Sequence, residues 1–210
     1  MTPATVFVVD DDAGVRKALT RLLQSSGYNV AAFPSPSAFL DAHDPSVAGC
    51  VILDVAMPGT NGLDLQKRLA ADGSCRAIVF ISGEGDIPQS VQAMKAGAVD
   101  FLTKPFDDSE LLQAVDLAID RGCAAQQSNE ELRIVTQCLA SLTSREREVL
   151  EHVISGQLNK RIATELGTVE KTVKVHRARV MHKMGAESLA DLVRMAEKAG
   201  IKPMPSSRDI

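Results

Sequence analysis

Five short apolar runs rich in β-branched residues recur through the first 105 positions, at 5–9, 29–33, 50–53, 77–81 and 99–102, and they constrain that part of the chain most. Three of them (VFVV, CVIL and AIVFI) are apolar at every position, the pattern of strands covered on both faces by helices. The stretches between them, 14–26, 35–42, 62–71 and 87–96, have helical period, and Gly27 and Gly97 follow two of them as stops. Strand and helix in alternation, joined by right-handed crossovers, predict a doubly wound (βα)5 unit with strand order 2-1-3-4-5.

After the fifth run, KPFDDSE places Asp107 and Glu110 at capping-box spacing and opens a fifth helix over 108–121. Residues 122–128 (GCAAQQS) are small and polar, whereas 129–139 resumes helical period through Leu132, Val135 and Leu139. The linker, 122–139, is therefore helical at least in part, as one helix or two. Four helices follow. Thr143 and Glu146 form a capping box for the first; Asn159 opens a short second helix that stops at Gly167. Thr168 is expected to cap a third, running to Met184, and Ser188 opens a fourth that ends before Gly200. A short helix, a tight turn and a longer basic helix make a helix-turn-helix pattern. The fold class is α/β plus all-α: an α/β domain over 1–121, the linker, an all-α domain over 140–202 and a tail over 203–210.

The formal charge of −4 conceals a division. Residues 1–124 carry nine Lys/Arg against sixteen Asp/Glu, while residues 140–210 carry thirteen against nine. A basic second part is suited to a polyanion. All seven Phe and Tyr residues lie within the first 106 positions, so the second part lacks a platform for stacking bases and is suited to double-stranded rather than single-stranded nucleic acid. The apolar runs fall far short of the ~18 residues that a bilayer requires. No basic leader precedes the first strand, and Cys50, Cys75, Cys123 and Cys138 show no metal-ligand spacing. A cytoplasmic protein with reduced thiols and no membrane partner is expected.

Asp10, Asp11 and Asp12 follow the first strand directly and Asp54 ends the third, its neighbour at the switch point of such a sheet. Ser82 ends the fourth strand and Lys104 follows the fifth. Carboxylates converging at one edge repel unless a cation sits among them, and all-oxygen ligands suit Mg²⁺. The set reads as a phosphoryl-transfer site, with a carboxylate as nucleophile, a divalent ion and Lys104 as neutralising charges and the Ser82 hydroxyl as hydrogen-bond donor. Helix capping explains Asp12 but not the lysine or the hydroxyl.

The stretches VFVVDDD, LDVAMPGTNG, FISGEGD and MKAGAVDFLTKPF resemble the receiver domain of two-component response regulators, over residues 4–121. The resemblance implies a flavodoxin-like fold with Asp54 as phosphoacceptor. It also implies Mg²⁺ held by Asp11 and Asp54 directly, by Asp10 through water and by the Ala56 carbonyl, and Lys104 paired with the phosphoryl group. The Lys104–Pro105 bond is expected to be cis, and Ser82 and Phe101 form the switch pair. Glu84, in the EGDIPQ stretch, is expected at most to alter autodephosphorylation.

Along residues 171–186 there is no acidic side chain. At 100° per residue, Val173, Val180 and Met184 form one stripe, and Lys171, Lys174, Val175, Ala178, Arg179 and His182 lie opposite. The stripe predicts a core face and the other side a recognition surface for the major groove. Lys160, Arg161, Arg177 and Lys183 are expected on phosphates. His176 and His182 lack further ligands at metal spacing. Residues 139–200 resemble the LuxR-type output domain of the NarL/FixJ family, carried by LTSREREVL, the GQLNKRIATELG stretch and KTVKVHR. That family places the positions of Lys174, Val175 and Ala178 in the groove; Ala178 stands where some relatives carry lysine, which shifts base reading toward Arg179.

Together these readings predict a phosphorylation-dependent transcription regulator, an activator, with no enzymatic turnover beyond autophosphorylation and autodephosphorylation. Its partners would be a sensor histidine kinase, promoter DNA and a second copy of the chain paired through the fourth helix, fifth strand and fifth helix, with RNA polymerase a further candidate. Unphosphorylated, receiver and linker would mask the DNA-binding part or keep it monomeric. A DNA-binding module regulated without phosphate is the alternative. An aspartyl-phosphate phosphatase is disfavoured because Ala56 occupies the position two after Asp54, where an acid/base carboxylate would be needed.

Overall fold

Each apolar run becomes a strand of one parallel sheet: β1 (Thr5–Val9), β2 (Asn29–Phe33), β3 (Gly49–Asp54), β4 (Ala77–Ser82) and β5 (Asp100–Thr103), in the order β2-β1-β3-β4-β5. The computed structural model describes residues 4–44, 47–59, 61–83, 87–202 and 204. The intervening helices are α1 (Ala13–Ser25), α2 (Pro36–Ala42), α3 (Gly62–Ala71) and α4 (Ile87–Lys95). Val6, Val8, Cys50, Ile52, Val79 and Ile81 pack on one side of the sheet with Leu19, Leu23, Leu111 and Val115. Their alternating neighbours Phe7, Val9, Val51, Leu53, Ile78 and Phe80 pack on the other with Phe39, Leu65 and Leu69. Burial on both faces is why these strands read as unbroken apolar runs rather than as alternation.

The fifth helix, α5, runs without interruption from Asp108 to Ala140, 33 residues, so the linker is a continuation of the fifth helix and ends before α6 begins at Ser144. Gly122 would ordinarily weaken a helix by about 1 kcal/mol against alanine. Here it is a packing residue: a Cβ at this position would lie 2.8 Å from the carbonyl oxygen of Gly49, so only glycine lets α5 lie against the start of β3.

The chain divides into two units, residues 1–128 and 129–210. In the second, Val135 and Leu139 of α5 share a core with α6 (Ser144–Ile154), α7 (Asn159–Glu165), α8 (Glu170–Met184) and α9 (Leu189–Lys198), through Val149, Leu150, Ile162, Val180, Met184 and Leu192. Thr143 accepts from the Glu146 amide while Glu146 accepts from the Thr143 amide, completing the predicted capping box. Ser188 caps α9 through the amide of Asp191. Thr168 does not cap α8. Gly167 turns at φ 61°, and the Thr168 amide then donates back to the Ala163 carbonyl at 2.9 Å, so Thr168 closes α7 and α8 begins after an uncapped Val169.

Candidate functional site

Register places the first site. Val9 pairs with Leu53, so the residues that follow each, Asp10 and Asp54, emerge side by side at the carboxyl edge of the sheet. Both carboxylates are buried, at 1% and 5% exposure. Lys104, after β5, reaches across the edge: its Nζ donates to Asp10 Oδ2 at 3.0 Å and to Asp54 Oδ1 at 2.9 Å. Its backbone amide donates to the Ser82 carbonyl at 2.7 Å, which fixes the lysine relative to β4, and the Lys104–Pro105 bond is cis. Gly62, at the start of α3, could carry no side chain, because a Cβ there would lie 2.4 Å from the Asp54 carbonyl oxygen.

Burial raises the Asp54 carboxyl above its ordinary range; the Lys104 ammonium opposes this, the Asp10 charge adds to it and the Ala56 amide opposes it. Burial acts to lower Lys104, but its hydrogen bonds and charge interactions with Asp54 and Asp10 outweigh it and the ammonium is raised. One cation thus serves two buried anions, which leaves negative charge uncompensated.

Asp11 and Asp12 occupy the turn between β1 and α1. The Asp12 amide donates to Asp10 Oδ1 at 2.8 Å, and Asp12 then caps α1, accepting from the amides of Gly14 and Val15 at 2.6 and 3.0 Å. Those amides, Val15 first, hold the Asp12 carboxyl below its usual range. Asp11 is exposed, and among the described residues no three acidic, His or Cys side chains cluster as metal ligands. The donor chemistry still fits Mg²⁺, which takes few carboxylates and keeps several waters: all the available ligands are oxygens, and the edge holds excess negative charge. Ser82 is buried at the end of β4, Phe101 is half-buried on β5 with its ring 6.2 Å from that of Phe80, and Ala56 lies exposed after β3. Glu84 lies outside the described residues.

The second site is one face of α8. Lys171, Lys174, Val175, Ala178, Arg179 and His182 are all exposed, whereas Val173, Val180 and Met184 are buried. Lys174 makes an exposed ion pair with Glu170, 3.0 Å, worth little and readily exchanged for another anion. Lys160 is exposed, and Arg161 pairs with Glu165 at 2.7 Å. Arg177 is half-buried and donates to Asn159 Oδ1 at 3.3 Å, tying α8 to α7.

Lys183 is engaged inside the domain. Its Nζ donates to Glu146 Oε2 at 2.6 Å and to the Ser141 carbonyl at 3.0 Å. Glu146 is 2% exposed; the Lys183 hydrogen bond, followed by the Thr143 amide, brings its carboxyl down to about 2. The sequence conceals this pair, because its members are 37 residues apart with no periodic signal. It likewise conceals buried His152, whose Nδ1 lies 3.0 Å from Gln157 Oε1 and 3.3 Å from Glu165 Oε2.

Residues 6–116 match the model of the response regulator receiver domain, and residues 140–196 that of the bacterial regulatory proteins of the luxR family. Nodulation protein W of Bradyrhizobium diazoefficiens is 47% identical over 200 residues, 95% of this chain and 88% of that protein. Transcriptional regulatory protein FixJ of Azorhizobium caulinodans is 47% identical over 198 residues, 94% of each chain. The solved structure of response regulator StyR is similar at a TM-score of 0.83 and 46% identity, covering 94% of this chain and 100% of that one. A flavodoxin-like receiver followed by a helix-turn-helix domain defines a class, the DNA-binding transcription regulators under receiver control. The chain belongs within it to the two-component response regulators with a LuxR-type DNA-binding domain. No described helix is long and apolar enough to cross a membrane.

Proposed function

We propose that Asp54 accepts a phosphoryl group from a sensor histidine kinase and that the phosphorylated chain dimerises on double-stranded promoter DNA in the cytoplasm and activates transcription. The observation that carries this reading is the Lys104 ammonium held 2.9 Å from Asp54 and 3.0 Å from Asp10. A buried carboxylate beside a fixed cation is a preorganised acceptor. An Asp54 oxygen attacks phosphorus, the P–O bond forms as the bond to the donor's imidazole nitrogen breaks, and the imidazole leaves. Lys104 follows the charge onto the phosphoryl oxygens, and the Ser82 hydroxyl donates to one of them. Mg²⁺, when bound through Asp11, Asp54, the Ala56 carbonyl and, by water, Asp10, supplies further positive charge to those oxygens. Phe101, half-buried on β5, registers the movement of Ser82.

The dimer surface is the α4–β5–α5 face, where Ile87, Val91 and Met94 are exposed at helical spacing along α4. On DNA, Lys174 and Arg179 read base edges, Val175 and Ala178 approach thymine methyls, and Lys171, His182, Lys160, Arg161 and Arg177 serve phosphates. Light scattering on the full chain with Mg²⁺ and acetyl phosphate tests this: the wild type doubles in mass and Asp54→Ala does not. Equal doubling in both removes Asp54 as the acceptor.

A further inference from the structure

The end of α5 is received by cations from elsewhere in the second unit. Arg147 of α6 donates to the Leu139 carbonyl at 3.4 Å, and Lys183 of α8 donates to the Ser141 carbonyl at 3.0 Å. Carbonyls at and just beyond a helix C-terminus lack intrahelical partners, so cationic donors are favoured there. Lys183 also holds Glu146 Oε2 at 2.6 Å, and Glu146 accepts in turn from the Thr143 amide at 2.9 Å. One ammonium therefore joins the segment leaving α5, the capped start of α6 and the last turn of α8. The same three elements also share the unit's apolar core, through Leu139, Val149, Leu150, Val180 and Met184. A buried carboxylate in this position needs its counterion, and the lysine is committed to it.

We propose that Lys183 is a positioning residue for DNA binding, clamping the recognition helix to the end of α5, and not a phosphate contact. The proposal rests on the reading of α8 as the DNA-contacting helix. Two consequences differ in sign from those of a phosphate contact. Removing the charge of Glu146 takes an anion away from the DNA-binding domain and frees Lys183, so a phosphate-contacting lysine would then bind DNA more tightly. A clamp instead loses its anchor, and binding weakens. Removing Lys183 itself leaves the salt dependence of binding unchanged if it never met a phosphate, whereas loss of one phosphate contact lowers the slope of log K against log salt by about one.

The test uses the full chain and a duplex that it recovers from a randomised-sequence DNA pool, with folding of each variant checked by circular dichroism. Glu146→Gln keeps an acceptor for the Thr143 amide and is the variant best able to fold. It is expected to weaken binding about tenfold, which corresponds to 1.4 kcal/mol. Lys183→Met is expected to weaken it similarly with an unchanged salt slope, Lys183→Arg to restore it, and the double variant to lose no more than either single one. Tighter binding by Glu146→Gln, or a salt slope reduced by one in Lys183→Met or Lys183→Arg, overturns the clamp. Lys174→Ala is the control for the underlying reading: if it binds DNA as the wild type does, the orientation of α8 is wrong, whatever the clamp variants do.

Discussion

The two sites handle charge in opposite ways. At the receiver edge, Asp10 and Asp54 are almost fully buried and share a single ammonium. On the outer face of α8, Lys171, Lys174 and Arg179 stand exposed, and Lys174 makes a surface pair with Glu170. A buried charge costs several kcal/mol unless paired, so the receiver holds an unbalanced set that a phosphoryl group and a cation can rearrange. An exposed charge costs little, so the recognition face can wait unpartnered for phosphates and base edges. On the proposed function, the first site is the one that switches and the second the one that binds.

Removing a charge should therefore act on stability at one site and on affinity at the other. The largest effect is expected for Lys104→Met, which leaves two buried carboxylates facing each other. In the absence of Mg²⁺, urea unfolding of the first unit's sheet should show a loss of about 2 kcal/mol, below the usual cost of breaking a buried pair because solvent reaches the lysine. The variant should also lose acetyl-phosphate-driven dimerisation; wild-type stability would mean that the pair does not bear on the fold. Lys174→Ala should follow, with DNA affinity down about tenfold and phosphorylation and stability unchanged. A measurable loss of stability there would blur the contrast.

A third prediction concerns Glu146, a buried anion of the second unit. Glu146 is depressed to about 2 when folded, so its contribution is fully present above the unfolded value near 4.5 and is lost as pH falls through about 2. The unfolding midpoint of the helix-turn-helix unit should drop across that window, and Glu146→Gln should flatten the dependence. An identical profile in the variant would assign the acid sensitivity to other carboxylates. The smallest effect is expected for Val175→Ala, a loss of threefold or so from a missing methyl contact, read as reduced preference at one base pair of the selected duplex.

The sheet and the receiver edge were legible because strand order and strand ends decide them. Once β1 and β3 are neighbours, Asp10 and Asp54 must meet, and Lys104 after β5 is long enough to reach them. The core face of α8 was legible because Val173, Val180 and Met184 recur at helical period. What stayed hidden depended on contacts with no period. Asp10, Asp11 and Asp12 look alike in sequence, and only the hydrogen bonds separate them: Asp10 pairs with Lys104 while Asp12 caps α1. Gly122 looks like a helix breaker, and only the approach of the Gly49 carbonyl shows it to be a packing residue inside α5. Thr168 has the composition of a cap but is used to close α7, and the pairing of Lys183 with Glu146, 37 residues away, has no signal in the sequence.

The central claim is that phosphorylation of Asp54 sets DNA binding by the α8 face. It is tested most directly by titrating the full chain onto its selected duplex with Mg²⁺, with and without acetyl phosphate, for the wild type and Asp54→Ala. The account predicts that acetyl phosphate tightens binding by the wild type at least tenfold, the ~1.4 kcal/mol expected of a two-state coupling, and leaves the variant where it was. Equal tightening of both, or of neither, would contradict it.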